Sequence, residues 1–485
     1  MGPADIRSRR YAVLSEREIE TLHEKTLRLL QRVGIVIEHA GALELLESAG
    51  ARVDKEAQRA WLPPGLVEDA IRRAPSACLL AGQGPARDMH LAVGGETYTR
   101  TIGGPEYLYD CERRERRAVT RADLVQWTRL AHCLPSIHLI NAIFPLDIDS
   151  EPRDVVAVAT MLENTTKPLI IQAYSNRSLE WIVELAANVA GGVDNLHRRP
   201  RLAVYTSSFS PLRYSRDEID VLITAGKHNL PVFLNSSPLS GATGPVTLSG
   251  TLLLMNVETL AGMVVAQLAN PGAPVVYTPK PYYFDMRTSV AAIGYAEMGL
   301  LQAAIVQLGM HYGWPTEALG AVTDSNIPDQ QASIEKVQGA ALSFLGGACI
   351  VGGAGSLGTA GTASLEQMVI DNDIYEYFYR VLDGVDFSED ALAEELIADL
   401  GPGKEYLTSD HTLRYFRKEF YFAATADRRR HDAWELDGAR DTLARAHRLV
   451  LKLLAQEAPQ AEELPSPGQL EEICFRARVD LSRGQ

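Results

Sequence analysis

The feature that most constrains this chain is an alternation. Eight short β-rich runs, at 97–102, 138–144, 169–174, 202–206, 232–235, 275–278, 319–323 and 349–352, are separated by helical stretches. A strand cannot be joined to a parallel neighbour by a tight hairpin, so strand and helix in turn point to crossover units and a parallel sheet. Eight such units over about 300 residues predict an α/β fold, a (β/α)8 TIM barrel. A doubly wound open sheet stays open as the alternative, because a strand count cannot show closure.

The flanks read differently. Residues 1–95 predict an N-terminal helical cap, 96–400 the barrel and 401–485 a C-terminal helical extension. In the cap, Ser15 and Glu18 write a capping box, and Ile19, Leu22, Thr26, Leu29, Leu30 and Val33 share one face of a helix that Gly34 ends. Segments 42–48 and 64–74 have the same short-helix style. After the break GPGKE at 401–405, a charged helical region runs through 445–456, and the Pro-, Glu- and Gly-rich last residues predict a mobile end.

Charge and cysteines bound the partners. A net charge of -15 argues against a nucleic-acid surface and against anionic lipid, so neither nucleic acid nor membrane is an expected partner. Cys78, Cys111, Cys133, Cys349 and Cys474 are odd in number and contain no CxxC pair, which suits a reduced, cytoplasmic setting. The opening MGPADIR lacks the apolar core of a secretory signal and reads as a surface tail. The longest uncharged runs, 228–257 and 337–365, are too rich in Gly, Ser, Thr or Pro to read as membrane spans.

Several familiar chemistries lack their motifs. GAGSLG at 353–358 matches G-x-G-x-x-G, but seven βα units precede it and Asp371 and Asp373 fall inside a helix, so it reads as a loop approaching a ligand or neighbouring backbone closely. The histidines form no H-x-x-x-H or H-E-x-x-H pattern, and no metal site is expected. No G-x-x-x-x-G-K-[ST] or G-x-S-x-G occurs.

What remains is a polar loop at 322–336 and a ring of residues at the predicted strand ends. In the loop, Asp329 reads as a helix N-cap. In the ring, Phe144, Tyr174, Tyr205, Tyr277, Tyr282, Tyr283 and Phe284 accompany Asp147, Gln172, Ser207, Asn235, Asp285, Arg287 and Asp324. Aromatic faces with an acidic group suit an alkylated ammonium, each ring contributing ~0.5–2 kcal/mol by cation–π attraction. An arginine there could grip a substrate carboxylate.

The segments TDSNIPDQQA at 323–332 with Glu335 and Lys336, SPLRY at 210–214, GATGPVTLSG at 241–250, NPGAP at 270–274, FDMRT at 284–288 and SLEQMVIDN at 364–372 resemble the trimethylamine methyltransferase family. The resemblance implies a TIM barrel moving a methyl group from an amine to the cobalt of a small corrinoid protein or to free cob(I)alamin. Founding members carry pyrrolysine near the seventh strand, whereas 319–325 here holds only standard residues. That is similar to the non-pyrrolysine branch, which demethylates quaternary amines such as glycine betaine, proline betaine and carnitine.

On this reading Tyr174, Tyr205, Tyr277, Tyr283 and Phe144 are cage candidates, with Gln172 and Gln331 as polar substrate contacts. Asp324 is the charge-complementing catalytic candidate and Arg287 a clamp for a carboxylate. The chain departs from its relatives at Gly352, Gly353, Gly358 and Thr359, which leaves the substrate open. Direct transfer to tetrahydrofolate, and a betaine- or corrinoid-binding barrel without turnover, are the competing readings. Homo-oligomerisation is left open.

Overall fold

The computed structural model describes residues 10–149, 152–456, 464–465 and 468–482. The opening tail MGPADIR lies outside them. The fold is α/β, and strands alternate with helices: β1 (Tyr98–Thr101), α1 (Arg121–Cys133), β2 (Ile140–Asn141), α2 (Arg153–Leu162), β3 (Leu169–Ile171), α3 (Asn176–Ala190), β4 (Leu202–Ser207) and α4 (Arg216–Lys227). The order continues with β5 (Val232–Asn235), α5 (Leu248–Ala269), β6 (Val275–Tyr277), α6 (Ala296–His311), β7 (Glu317–Ala318), α7 (Gln330–Gly346), β8 (Ile350–Ala354) and α8 (Leu365–Asp383). Thr120, Ser175, Ser215, Asp329 and Ser364 cap α1, α3, α4, α7 and α8 with side-chain oxygens, satisfying free N–H groups at each helix start.

β6-β5-β4-β3-β2 form one parallel sheet and β7-β8-β1 another. Single parallel bridges link the two at both edges, Arg100 with Leu139 and Tyr277 with Thr316. Side chains alternate strictly between two cores. Leu139, Ile170, Ala203, Tyr205, Phe233, Val276 and Ile350 gather in one cluster with Tyr98. Their neighbours Ile140, Leu169, Ile171, Leu202, Val204, Val232, Leu234, Val275, Tyr277 and Val351 join the larger core beneath the helices. A period of two puts each residue on the face opposite its neighbour, and both faces are buried.

The seventh run is misplaced by the sequence reading, which puts a strand at 319–323 where the structure has it at Glu317–Ala318. The acidic Glu317, fully buried, interrupts the apolar run that marks the other strands. The expected cap is not all helical. Helices Glu16–Arg32, Ala40–Ser48 and Pro64–Arg73 are joined by strands Ile35–Ile37, Arg52–Asp54, Arg59–Trp61, Ala77–Leu80 and Met89–Ala92. These strands are three or four residues long, too short to register as a period-two pattern. The first helix does carry its capping box at Ser15 and Glu18. The expected mobile end contains a helix, Glu471–Ser482, which buries Ile473, Ala477 and Leu481. Trp181 of α3 donates to Asp480 of that helix at 3.0 Å.

α5 is long and apolar enough to cross a membrane, but its residues are mostly buried within this protein, as in a core helix. Gly353, near the end of β8, has φ +114°, and a Cβ there would lie 2.7 Å from the Ala321 carbonyl oxygen, so the start of the GAGSLG run serves a close backbone approach between β8 and the loop after β7.

Under that loop Lys336 is fully buried. Its ammonium donates to Ala321 O and to Asp371 Oδ2, both at 2.8 Å. Asp371 also accepts from Gly355 N at 2.7 Å and Gln367 Nε2 at 2.8 Å. Lys336→Met leaves Asp371 buried without its cation and is expected to cost about 3–5 kcal/mol of stability, read as a lower midpoint in urea unfolding.

Candidate active site

The alternation that builds the inner cluster also builds the site above it. Two residues beyond the inner apolar layer, on the same face, come Arg100 after Tyr98, Asn141 after Leu139, Gln172 after Ile170, Ser207 after Tyr205, Asn235 after Phe233 and, four beyond Val276, Lys280. These residues line a cavity of about 490 Å³ at the carboxyl ends of the strands, with Phe144, Tyr205, Ser237, Leu239, Tyr282, Ala291, Leu319 and Ala360. Open α/β sheets and barrels alike place ligands at this end of their strands.

The floor is an ion pair. Arg100 Nε donates to Glu317 Oε1 at 2.6 Å, and both side chains are buried. Glu317 Oε2 accepts from the Tyr205 hydroxyl and from Thr278 Oγ1, the latter at 2.6 Å. Gly352 makes room, since a Cβ there would sit 2.8 Å from the guanidinium carbon of Arg100. Burial works against the Glu317 charge, but Arg100 and then Lys280 outweigh it and hold the carboxyl below its ordinary value. The Lys280 ammonium lies 3.7 Å from the centre of the Tyr205 ring. Burial pulls its pKa down to about 7, with Glu317 opposing.

Of the ring of residues the sequence singles out, Phe144, Gln172, Tyr205, Ser207, Asn235 and Tyr282 line this cavity. Six of the residues given a substrate or catalytic role, Tyr174, Tyr277, Tyr283, Arg287, Gln331 and Asp324, do not. Tyr174 is 43% exposed and packs its ring 5.3 Å from Phe144, outside the lining. Tyr277 takes the opposite strand face and donates to Asn256 Oδ1 of α5 at 2.8 Å. In the hairpin Tyr282–Asp285/Val290–Ala292, Tyr282 reaches the cavity while its neighbour Tyr283 packs edge-on against Tyr295. Arg287, at that hairpin's exposed turn, is held by Asp285 Oδ2 at 2.9 Å and the Tyr295 hydroxyl at 3.0 Å. Gln331 is exposed on α7 and donates to Glu335 at 2.9 Å.

Asp324 accepts from Ile293 N at 2.9 Å, Gly294 N at 2.7 Å and Thr359 Oγ1 at 2.8 Å. It joins the loops after β6, β7 and β8. Glu335 in turn accepts from Asp324 N at 2.8 Å. Asp329 caps α7, its Oδ1 2.9 Å from Ala332 N.

Arg100, Asn141, Lys280 and Glu317 are the lining or floor residues that sequence reasoning passes over. Arg100 and Glu317 carry a signal, a charged residue inside a buried strand whose neighbours are uncharged, as in YTRT at 98–101 and TEA at 316–318. Away from the cavity, Cys111, Glu366 and His447 bring ligand-type atoms within 4.8 Å of one another. His447 there spends Nδ1 on Glu366 at 2.9 Å and Nε2 on Glu112 at 3.3 Å, an ion-pair seam between α8 and helix Thr442–Leu454.

The family model described as "Trimethylamine methyltransferase (MTTB)" matches residues 4–467. The chain belongs to the trimethylamine methyltransferase family. It is 32% identical over 460 residues to trimethylamine methyltransferase MttB of Desulfitobacterium hafniense, covering 95% of this chain and 92% of that protein. It is 31% identical over 461 residues to the glycine betaine methyltransferase of the same species, covering 93% and 94%. The monomethylamine methyltransferase structure from Methanosarcina barkeri superposes with a TM-score of 0.49 at 11% identity, covering 96% of this chain and 86% of that one. This member of the family is a methyltransferase.

Two outcomes follow for this methyltransferase. Asp324→Ala frees the hairpin that carries Tyr282 and Ala291. It is expected to cost about 1–3 kcal/mol and to speed proteolysis at 285–290, measured by thermal melting and limited digestion. Lys280 gives a pH signature. The unfolded chain keeps this proton up to the ordinary lysine range while the folded protein releases it at about 7, so between these values the unfolded state binds more protons. Wild-type stability relative to Lys280→Met should therefore rise with pH across that window; a difference that is flat or falls would contradict it.

Proposed function

We propose that this chain transfers a methyl group from a quaternary ammonium compound, glycine betaine or a relative, to the Co(I) of a corrinoid carried by a small partner protein. The observation that carries the reading is the cavity itself. It brings the rings of Phe144, Tyr205 and Tyr282 together with amides, hydroxyls and the side chains of Arg100 and Lys280, within about 490 Å³. That volume suits a small amine and is too small for a corrinoid macrocycle, so the acceptor approaches from the open carboxyl-end side. The named relatives act on trimethylamine and on glycine betaine.

The eight strands are read as a closed (β/α)8 barrel spanning 96–400, with the described residues of 1–95 and 401–485 packed on it. The two single bridges at the sheet edges support closure. Five free thiols accord with a cytoplasmic location.

The chemistry needs no proton. One methyl carbon forms its bond to the acceptor as its bond to nitrogen breaks, and the electron pair leaves on a neutral tertiary amine. The Co(I) nucleophile supplies the reactive electron pair. The protein's own part is positioning: Phe144 and Tyr282 offer aromatic rings to the ammonium, and Gln172 and Asn141 offer amides. Asp324 acts at one remove, holding the hairpin that brings Tyr282 over the cavity. Tyr174 supports Phe144 at the rim.

The test is a mixture of protein, cob(I)alamin and a betaine panel. Tertiary amine and methylated acceptor are expected in equal amounts, and no methyl transfer from any member with active Co(I) would overturn the reading. Tetrahydrofolate in place of cob(I)alamin separates the acceptors. Phe144→Ala and Tyr282→Ala should each raise KM by about 2- to 30-fold, the equivalent of one cation–π contact.

A further inference from the structure

The electrostatics of the cavity are unbalanced. Arg100 and Glu317 neutralise each other, and the remaining acceptor capacity of Glu317 is taken by Tyr205 and Thr278. Lys280 is different. No carboxylate lies within 4.0 Å of its ammonium among the described residues, no hydrogen bond holds it there, and its neighbour is the face of Tyr205. Its side chain lines the cavity and keeps part of its surface open to it. A lysine desolvated on one side and open to a ligand cavity on the other is an anion seat. The same cation repels a ligand that carries only positive charge.

We propose that Lys280 is the residue that selects the carboxylate of a betaine substrate, holding it while the methylated nitrogen rests against the aromatic part of the cavity. The site thus takes zwitterionic N-methylated amino or hydroxy acids and rejects simple alkylammonium ions. The specificity residue is Lys280 and not Arg287, whose guanidinium is spent on Asp285 and Tyr295 at an exposed turn. Asn235 strengthens the polar side: its amide bonds Ser207 at 2.8 Å and Ser237 at 2.9 Å, fixing two hydroxyls at the cavity wall.

Charge linkage follows. The charged and titratable groups facing Lys280 are Glu317, Arg100, Tyr205 and Tyr282. The arginine and both tyrosines titrate well above neutrality and Glu317 is held ionised. Lys280, at about 7, is therefore the group among these that changes charge near neutral pH. A bound carboxylate favours its protonated form, so binding above pH 7 takes up a proton.

This inference rests on the proposed reaction but is tested by binding as well as by turnover. Glycine betaine, proline betaine and carnitine are each compared with their methyl esters, which keep the quaternary nitrogen and lose the carboxylate charge, by calorimetry and by methyl transfer to cob(I)alamin. Wild type should favour at least one acid over its ester by roughly ten- to hundredfold, the worth of one charge-assisted bond. Lys280→Met should collapse that preference, and Lys280→Arg should keep part of it. Acid binding to wild type at pH 8 should take up a proton in buffers of different ionisation enthalpy, and ester binding should not. If Lys280→Met does not fold, the acid-to-ester ratio and proton uptake of the wild type decide. Equal affinity for acid and ester, preference for the esters, or no binding of any acid overturns the carboxylate seat. Tight acid binding without methyl transfer leaves the seat standing and removes the proposed reaction.

Discussion

Four strands meet at one carboxylate. Glu317 of β7 binds Arg100 of β1, the Tyr205 hydroxyl of β4 and Thr278 just beyond β6. A charge this deeply buried is tolerated only when its partners are complete, because removing any of them strands an ion in low dielectric. Glu317 therefore fixes how those strands sit relative to one another at the layer where the apolar interior ends and the cavity begins. Among the described residues it leaves Lys280 on the cavity wall without a carboxylate within 4.0 Å.

The loops are organised by the same economy of buried polar groups. Asp324 joins the chain after β6, β7 and β8 through Ile293, Gly294 and Thr359. Beneath them Lys336 and Asp371 tie the loops after β7 and β8 through Ala321 and Gly355. These ties hold the hairpin bearing Tyr282 and Ala291, so the shape of the cavity depends on side chains that never line it.

Much of the scaffold is legible in the sequence. The strand runs at 232–235 and 275–278 stand where they are expected, give or take one residue, and the caps at Ser15 and Asp329 are made as their motifs predict. The site is less legible. Phe144, Gln172 and Tyr205 reach the cavity, but Tyr277 and Tyr283 differ from Val276 and Tyr282 by one residue, and one residue is a change of face. Asp324 and Gln331 were drawn to the site by polarity, yet their oxygens and amides are spent on backbone and on Glu335. Lys280 lies beyond the end of its strand, where the period-two pattern no longer marks which way a side chain turns.

By itself the sequence determined the α/β class, the alternation of strand and helix through the central region and the family, because periodicity, capping and motif order are local properties written along the chain. Only the tertiary structure decided which strand face turns inward, which loops Asp324 joins, and that Glu317 meets Arg100 across 217 positions. Those outcomes depend on register and on which buried charges are left without partners, and neither is set until the strands have come together.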